Sequence, residues 1–295
     1  KNVFLVQLLS FSYKPFVLFK MRGWWHLVKL FSRVMEGKLL IGRDGMNIEV
    51  DSGEPYWLRL AVRDFTYERE VDSLLAKLFH EKNPTFIDLG ANIRYWSCRC
   101  LSTYKAKNLI VVEPNPEILE SLKNNLKLNG YAGEVIERAL TKESNNTVKL
   151  HVDHTNVVGG SLFSNSQNES IFEVQTVSIS DILTPVIYSE DLIIVKMDIE
   201  GLELEVLKST SFLGRQNVIY VYEDHGNETN SKTTNDLLST GLYHIWLLRN
   251  GSQQLFVSDI SILNQAKVSR KVGYNLLAIP KTSELWIDLN LDVGP

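Results

Sequence analysis

The chain has 295 residues, 44% hydrophobic and 22% charged, and this composition is typical of a globular protein of one or two domains. Its 31 Lys and Arg residues against 35 Asp and Glu give a net charge of −4, so we expect no nucleic-acid partner. The two cysteines, Cys98 and Cys100, are too few for a disulfide framework and favour a reducing, cytoplasmic compartment.

The N-terminal segment is apolar but interrupted. Residues 3–19 contain Gln7, Lys14 and Pro15, so they fall short of the roughly 20 uninterrupted apolar residues that a bilayer span needs. Residues 20–33 interleave Trp and aliphatic residues with Lys and Arg, which is typical of an amphipathic helix on a membrane surface. A helix packed on the main domain or on a partner chain is the alternative, and we favour it from the sequence. Residues 1–35 are therefore candidates for peripheral membrane contact or homodimer contact.

An extension of helices and strands precedes the main domain. The residues between 37 and 63 read as short strands separated by Gly turns, at Lys38–Ile41, Met46–Val50 and Tyr56–Leu60. Apolar residues at helical spacing then predict a helix over residues 66–81, which the Asn83-Pro84 pair ends. We therefore divide the chain into an N-terminal extension, residues 1–65, and a main domain, residues 66–295.

From residue 85 onward, short apolar runs alternate with helical patterns. Strands are predicted at Thr85–Leu89, Asn108–Glu113, Glu134–Leu140, Leu192–Val195, Val218–Tyr222 and Leu276–Ile279, and helices at residues 93–104, Glu117–Leu128, Ser178–Leu183 and Gly201–Ser209. Continuous apolar runs are typical of strands buried on both faces, so the alternation predicts a doubly wound, mostly parallel α/β sheet. Residues 145–177 alternate with period two and read as an antiparallel excursion. The polar stretch Asn227–Asn235 reads as a loop over the pocket.

Polar residues follow several of the predicted strands. Asp88, Glu113, Asp198 and the Glu223–His225 run all stand where an apolar run ends. Ligands of doubly wound sheets bind beyond the carboxyl ends of the strands, so these residues are expected to share one site.

Gly90 and Glu113 together predict an adenosine-containing cofactor. Gly90 permits a tight turn and a close approach to a ligand, and Glu113 lies 23 residues later, where a carboxylate can hold both hydroxyls of a ribose. The glycine pattern of a pyrophosphate loop is incomplete, and Asp88 repels a pyrophosphate but suits a sulfonium. The sequence therefore favours S-adenosylmethionine over a nicotinamide dinucleotide.

Three motifs carry a resemblance to a known family. The segments 86–93 (FIDLGANI), 112–116 (VEPNP) and 196–203 (KMDIEGLE) resemble the FkbM-type S-adenosylmethionine-dependent methyltransferases over roughly residues 66–225. The resemblance implies the class I, Rossmann-like methyltransferase fold with a seven-stranded sheet, whose last strand is antiparallel. It also implies methyl transfer to a hydroxyl oxygen of a small molecule or sugar, and hence a small-molecule or carbohydrate acceptor.

The resemblance also implies roles for individual residues. The residues that would line the methionine end of the cofactor are Asp88, Gly90, Ala91 and Asn92. Glu113 would hold the ribose, with Pro114 beside it, and Ala139 and Leu140 would lie near the adenine. Tyr67-Glu68 looks like a Tyr-Glu pair common in the family, which adds Glu68 to the cofactor-binding set.

The catalytic candidates are Asp198, Glu200 and His225. The resemblance places Asp198 and Glu200 beside the transferred methyl group. His225 has an ordinary pKa suited to a base near neutral pH, and Asp198 is the second candidate for that role or the group that orients the acceptor. A carboxylate that only satisfies a helix N-terminus and a surface-loop histidine are the structural alternatives. No resident metal is predicted, although Glu200, Glu223 and Asp224 are oxygen ligands that would suit a divalent cation or a polar pocket.

Arg94 departs from the family pattern. The family usually has Gly at this position, and the long cationic side chain either crowds the cofactor or grips its carboxylate. A catalytically inactive binding or interaction protein on the same fold, with the cofactor site altered at Arg94, is therefore the alternative to an enzyme. A nucleotide-dependent oxidoreductase is disfavoured by the missing phosphate-binding glycines.

Overall fold

The computed structural model of the protein describes residues 2–18, 23–93, 95–153, 160–161, 169–199, 203–210, 212–225, 231–251, 253–269 and 272–293. Within these ranges the helices are α1 (Asn2–Leu18), α2 (Trp24–Ser32), α3 (Pro55–Leu58), α4 (Arg69–Lys82), α5 (Tyr95–Ser102), α6 (Pro116–Leu128), α7 (Ile179–Leu183), α8 (Glu203–Ser209), α9 (Lys232–Ser239), α10 (Ile260–Ala266) and α11 (Leu285–Asp288). The strands are β1 (Lys38–Arg43), β2 (Met46–Asp51), β3 (Thr85–Leu89), β4 (Asn108–Val112), β5 (Val135–Ile136), β6 (Ala139–Thr141), β7 (Thr147–Asp153), β8 (Gly160–Ser161), β9 (Glu169–Ser178), β10 (Ile193–Met197), β11 (Val218–His225), β12 (Tyr243–Leu247), β13 (Leu255–Phe256) and β14 (Gly273–Pro280).

The central sheet has the order β13-β12-β14-β11-β10-β3-β4-β5. Strands β5, β4, β3, β10 and β11 are parallel neighbours, whereas β14 runs antiparallel to both β11 and β12. The predicted mostly parallel sheet with an antiparallel last strand is therefore confirmed. The predicted count of seven strands is wrong, because the two-residue strand β13 pairs with β12 at the edge of the sheet and adds an eighth strand.

Two apolar layers cover the two faces of this sheet. One contains Phe86 of β3 and Ile194 of β10 and packs against α4 and α5, and the other contains Ile87 and Val195 and packs against α7 and α8. All five residues of β3 and of β10 are buried, which accounts for their mostly apolar sequence, in which Asp88 and Lys196 are the charged exceptions. The polar residues at the ends of these strands are therefore held by a backbone that has little freedom to move.

The N-terminal extension shares part of this core. Met46, Ile48 and Trp57 belong to the same apolar layer as Phe86, so the β1–β2 hairpin and α3 pack directly on the α4–α5 side of the sheet. A separate small cluster under α1 and α2 contains Leu9, Val28 and the α3 residue Leu58, among others. The division at residues 65 and 66 stays a prediction. No helix among the described residues is long and apolar enough to cross a membrane.

The segment Tyr56–Leu60, predicted as a strand, is helical. Glu54 caps α3 by accepting a hydrogen bond from the Tyr56 amide at 2.9 Å, and Pro55 stands at the first helical position, where its missing N–H costs nothing. A 3₁₀ turn over Arg59–Ala61 continues α3. The aromatic and aliphatic residues suggested a strand, but the cap and the proline decide the local structure.

Two other segments differ from prediction. The predicted strand Glu134–Leu140 divides into β5, which joins the central sheet, and β6, which pairs with β9 in a second sheet. The antiparallel excursion is confirmed by the β7–β9 pairing. The predicted loop Asn227–Asn235 is wrong in its second half, because α9 begins at Lys232. Residues 226–230 lie outside the described part of the chain.

Candidate functional site

A row of polar side chains crosses one face of the central sheet near the carboxyl ends of its strands. Asp88 of β3 is opposite Lys196 of β10, and Glu223 of β11 is opposite Asn275 of β14. By strand alternation these four residues share the face of Phe86, Ile194 and Val221. Asp88, Lys196 and Asn275 are less than a tenth exposed. Buried charges at the ends of central strands need partners, and the row supplies them.

Lys196 is the cation of this cluster. Its side chain is 6% exposed, and its Nζ atom lies 3.8 Å from Oδ2 of Asp198. Burial alone would lower the pKa of the Lys196 ammonium, but the negative charges of Glu68, Asp198, Asp88 and Glu223 outweigh burial and raise the pKa. One buried ammonium is thus surrounded by four carboxyl groups, which leaves the cluster with an excess of negative charge when they are ionised.

The start of α4 covers the polar row. Glu68 precedes α4 in the left-handed conformation, at φ 37°, and accepts a hydrogen bond from the Trp96 indole N–H at 2.8 Å. Two residues further, Glu70 accepts a hydrogen bond from the side-chain amide of Asn275 at 2.9 Å. Contacts from α4 to α5 and to β14 therefore fix the carboxyl group of Glu68 over the ends of the central strands.

The turn after β3 packs tightly on the residue after β10. Gly90 has φ 76°, and a Cβ atom built on it would lie 2.0 Å from the carbonyl oxygen of Asp198. The Asp198 amide in turn donates to the Leu89 carbonyl at 3.1 Å. Only glycine permits both this conformation and this approach. The two motifs that the sequence places 110 residues apart thus form one backbone unit.

Glu113 links the first two βα turns. Its Oε2 atom accepts from the Asn92 amide at 2.8 Å and its Oε1 atom from the Asn115 amide at 2.9 Å, and its side chain is buried. Asn92 has φ 50°, which turns its N–H toward this carboxylate. Glu113 is therefore positioned at the tip of β4 beside the glycine turn, where the ribose role assigned to it stays a prediction.

The remaining cofactor candidates flank this turn. Ala91 is buried and donates its N–H to the Val112 carbonyl at 3.2 Å, and Pro114 follows Glu113 at half-buried depth. Ala139 is buried at the start of β6, three residues beyond the Ile136 carbonyl that accepts from the Glu113 amide. These residues thus lie along the edge formed by β3, β4 and β5.

An aromatic wall stands on the other side of Asp198. The hydroxyl oxygens of Tyr56 and Tyr67 lie 3.4 Å apart, and the ring of Tyr67 contacts those of Tyr95 and Trp96. Burial raises the pKa of Tyr67 well above its ordinary value, and the negative charges of Glu68 and Asp198 add to the rise. The two phenols therefore remain protonated and border the acidic cluster as neutral hydroxyl groups.

Asp224 does not belong to this cluster. It faces the opposite side of β11, where it is 1% exposed, pairs with the Lys267 ammonium and accepts from the Thr234 hydroxyl at 2.8 Å. The hypothesis that Asp224 shares a polar pocket with Glu223 is therefore wrong, since neighbouring strand residues point to opposite faces. Among the residues that the structure describes, no three His, Cys, Asp or Glu side chains are grouped as a metal site.

The structure gives no side-chain position for three residues that the sequence singled out. Arg94 and Glu200 lie outside the described residues. His225 is the last residue of β11 and its backbone pairs with Gly273, but its side chain is not described. The roles assigned to Glu200 and His225, and the effect of Arg94 on the cofactor, stay predictions.

Three residues of the site, Lys196, Tyr67 and Tyr56, had no predicted functional role. Lys196 was part of a recognised motif, and Tyr67 of another, but neither received a role. Tyr56 was placed on a strand that does not exist. A lysine that interrupts a fully buried apolar strand was the available signal for Lys196, because such a residue needs charged partners.

Residues 88–250 match the sequence model of the methyltransferase FkbM domain, which spans more than half of the chain. The chain belongs to this family. Its methyl donor is S-adenosylmethionine, and the FkbM match covers the glycine turn, Glu113, Lys196 and Asp198. Comparison with curated proteins gives no match.

Solved methyltransferase structures share a low level of similarity with this FkbM protein. A precorrin-6y C5,15-methyltransferase from Geobacter metallireducens has a TM-score of 0.37 at 12% identity, covering 73% of this chain and 90% of that one. The B. subtilis M1A22 tRNA methyltransferase TrmK has a TM-score of 0.38 at 12% identity, covering 78% and 72%. M. jannaschii TYW2 in complex with AdoMet has a TM-score of 0.36 at 10% identity, covering 83% and 86%. The fold assignment here rests on the strand order and the family match.

Glu68 offers a test of the electrostatics of the FkbM site. Burial raises the pKa of Glu68 above its ordinary value of 4.5, and the charge of Lys196 only partly offsets this. A carboxyl group whose pKa is raised in the folded state stabilises the fold while it is protonated. This stabilisation is lost as the pH rises and the group ionises. We therefore expect Glu68→Gln, which keeps an acceptor for Trp96, to gain stability relative to wild type as the pH rises above 4.5. Urea unfolding at several pH values measures this, and a constant difference would contradict it.

Proposed function

We propose that this FkbM methyltransferase transfers a methyl group to a hydroxyl oxygen of a small molecule or carbohydrate, with Asp198 facing the acceptor. The observation that supports this most directly is the cluster of carboxyl groups around Lys196, which borders the glycine turn on one side and the Tyr56–Tyr67 pair on the other.

The residues present fit S-adenosylmethionine. The acidic excess around Lys196 suits the positively charged sulfonium and ammonium groups of this cofactor better than it suits a phosphate. The turn at Gly90 and the anchored carboxylate of Glu113 are the elements that would hold it. When bound, the cofactor supplies an electrophilic methyl group, so the protein has to position an acceptor and remove its proton.

Asp198 is the carboxylate best placed for the acceptor. Its side chain is 27% exposed, whereas Asp88 is buried and holds the Ser97 hydroxyl at 2.5 Å. A solvent-accessible carboxylate beside the Lys196 ammonium can accept a hydrogen bond from an acceptor hydroxyl and take its proton as the methyl bond forms. His225 at the end of β11 is the alternative base.

The aromatic wall favours a polar ring or hydroxylated acceptor. The rings of Tyr56 and Tyr67 are apolar, and their hydroxyl groups can donate hydrogen bonds. Carbohydrates are bound by this combination of aromatic rings and hydrogen-bond donors. The Arg59 guanidinium stacks 3.9 Å above the Tyr56 ring and holds this ring in place. The Tyr56 and Tyr67 part of this wall thus lies outside residues 88–250, the region that the family model matches, and Tyr56 belongs to the N-terminal extension.

Asp198→Asn tests this proposal. We expect kcat to fall by about 100-fold or more, because the variant retains the shape but cannot accept a proton, while the affinity for S-adenosylmethionine changes little. Calorimetry with S-adenosylmethionine and formation of S-adenosylhomocysteine with a panel of sugars, alcohols, amines and thiols measure the two effects. Asp191→Asn, at an exposed carboxylate just before the amino end of β10, is the matched control.

The outcomes separate the proposal from its alternative. Unchanged methyl transfer in Asp198→Asn would remove Asp198 from the chemistry, and preference for amines or thiols would exclude the oxygen acceptor. No heat of binding from well-folded wild-type protein would instead favour a binding or interaction protein whose cofactor site is altered at Arg94.

A further inference from the structure

Helix α1 carries apolar side chains on two opposite sides, and the rest of the described chain covers only one of them. Leu9 is fully buried beneath the helix, together with the half-buried Leu5 and Tyr13. The opposite side presents Phe4, Leu8, Phe11 and Leu18, which are 63%, 42%, 76% and 75% exposed. Their spacing of three, four and seven residues puts them in one stripe. An exposed apolar stripe of this kind, opposite the packed side of the helix, is typical of a surface that contacts a partner or a membrane.

Helix α2 adds basic residues to this apolar surface. Leu30 and Val34 are 55% and 47% exposed, and Lys29 and Arg33 stand exposed at neighbouring positions one helical turn apart. The two helices are joined by the packing of Tyr13 against Trp24, whose ring centroids lie 4.6 Å apart. This surface is therefore apolar and basic. We call it the docking face and define it by the exposed side chains Phe4, Leu8, Phe11, Leu18, Lys29, Leu30, Arg33 and Val34.

The charge of the chain is strongly divided. Residues 1–43 contain eight Lys and Arg and a single acidic residue, Glu36, whereas residues 44–295 contain 23 Lys and Arg and 34 Asp and Glu. The acidic main part is repelled by an anionic surface, and the N-terminal part is attracted to one. A partner that exploits this division carries negative charge and accepts apolar side chains.

We propose that the docking face binds the surface of a bilayer that contains anionic lipid. A bilayer interface accepts apolar side chains and binds Lys and Arg through its head groups, and these two contributions together give stable attachment. A second copy of this chain fits less well, because self-association would bring two strongly basic segments together without neutralising them. Lys14 and Pro15 interrupt the apolar sequence of α1. This favours a helix that lies in the membrane interface over one that crosses the bilayer.

Vesicle cosedimentation of the full chain tests the apolar and basic contributions separately. We expect binding to vesicles of phosphatidylcholine mixed with phosphatidylserine, and binding weaker by about tenfold or more to phosphatidylcholine alone. Leu8→Ser with Phe11→Ser removes apolar contacts, and Lys29→Glu with Arg33→Glu reverses basic ones. Each pair is expected to weaken binding to the mixed vesicles by about tenfold or more.

The controls carry the same chemical changes at other exposed positions. Val268→Ser with Ile287→Ser, at side chains that are 91% and 55% exposed, matches the apolar change, and Lys107→Glu with Lys142→Glu matches the charge reversal. Both controls are expected to bind as wild type does. Because all the substituted side chains are exposed, circular dichroism and thermal unfolding should show folded protein throughout.

Three results would overturn the proposal. The first is absence of binding to the mixed vesicles, and the second is equal binding by the charge-reversed variant and wild type. The third is a dimer, seen by sedimentation equilibrium, that Phe11→Ser dissociates while vesicle binding is unaffected. None of these results bears on methyl transfer, so the two proposals fail independently.

Discussion

Gly90→Ala is expected to abolish detectable binding of S-adenosylmethionine, with a loss of affinity of about 100-fold or more. Two effects combine at this position. The residue has φ 76°, where any side chain costs about 1–2 kcal/mol, and the added Cβ atom would lie 2.0 Å from the Asp198 carbonyl oxygen. Gly90 and Asp198 directly follow the neighbouring buried strands β3 and β10, so the backbone at either residue has little freedom to move. The glycine turn and Asp198 must separate, which moves the elements assigned to cofactor and acceptor apart.

Gly130→Ala is the matched control for this substitution. Gly130 follows α6 with φ 84°, so alanine meets a similar conformational cost, but no atom lies within 4 Å of its Cβ position. We therefore expect Gly130→Ala to lose about 1–2 kcal/mol of stability and to bind S-adenosylmethionine as wild type does. Isothermal calorimetry and urea unfolding of both variants separate the clash from the conformation. Equal affinity in Gly90→Ala and wild type would show that the turn does not hold the cofactor.

The position of the site was predictable from the sequence because it depends on strand ends. The strands β3, β4 and β10 are mostly apolar, and Asp88, Glu113 and Asp198 stand at or just beyond their carboxyl ends, so the sequence placed these residues at one end of a parallel sheet. The chain order of the main elements also followed from periodicity alone.

The partners of the site residues were not predictable in the same way. Tyr56 and Asn275 reach the cluster through packing between elements that are far apart in the chain, and no local pattern records such contacts. Sequence spacing shows that a residue stands at a strand end, but it does not show which of two faces carries its partners. Asp224 illustrates this, because it follows Glu223 directly and yet pairs with Lys267 on the other face.

Local competition explains the wrong secondary structure. The aromatic residues around Tyr56 favour a strand, but Glu54 and Pro55 together start a helix, and a cap outweighs weak propensities over a few residues. The Glu134–Leu140 segment was predicted as one strand because pairing partners are invisible in the sequence. Its halves hydrogen-bond to β4 and to β9, which belong to different sheets.

Lys196→Met is expected to destabilise the protein by about 3–5 kcal/mol at neutral pH. Methionine fills a similar volume, so the loss comes from electrostatics rather than from a cavity. Glu68, Asp88, Asp198 and Glu223 all interact with the Lys196 ammonium, and its removal leaves these carboxyl groups to repel one another in a buried place. Isolated buried charges are costly, so the native state then favours protonation of the carboxyl groups.

The destabilisation should depend on pH with a definite sign. Carboxyl groups whose pKa is raised in the folded state contribute stability that is present at low pH and lost as the pH rises through the raised pKa. Burial already raises the pKa of Glu68 above 4.5 in the wild type, and loss of Lys196 removes the positive charge that opposes the rise. The deficit of Lys196→Met should therefore be smallest near pH 4.5 and grow toward neutrality.

Lys208→Met provides the comparison that isolates burial. Lys208 pairs with Asp236, but its side chain is 56% exposed, so water screens this pair and its loss should cost at most about 1 kcal/mol with little dependence on pH. Urea unfolding of both variants between pH 4.5 and 7 measures the difference. A deficit for Lys196→Met that is as small as that of Lys208→Met, or one that shrinks as the pH rises, would show that the Lys196 ammonium does not hold the acidic cluster together. In that case the acidic pocket assigned to the cofactor would lose its electrostatic basis.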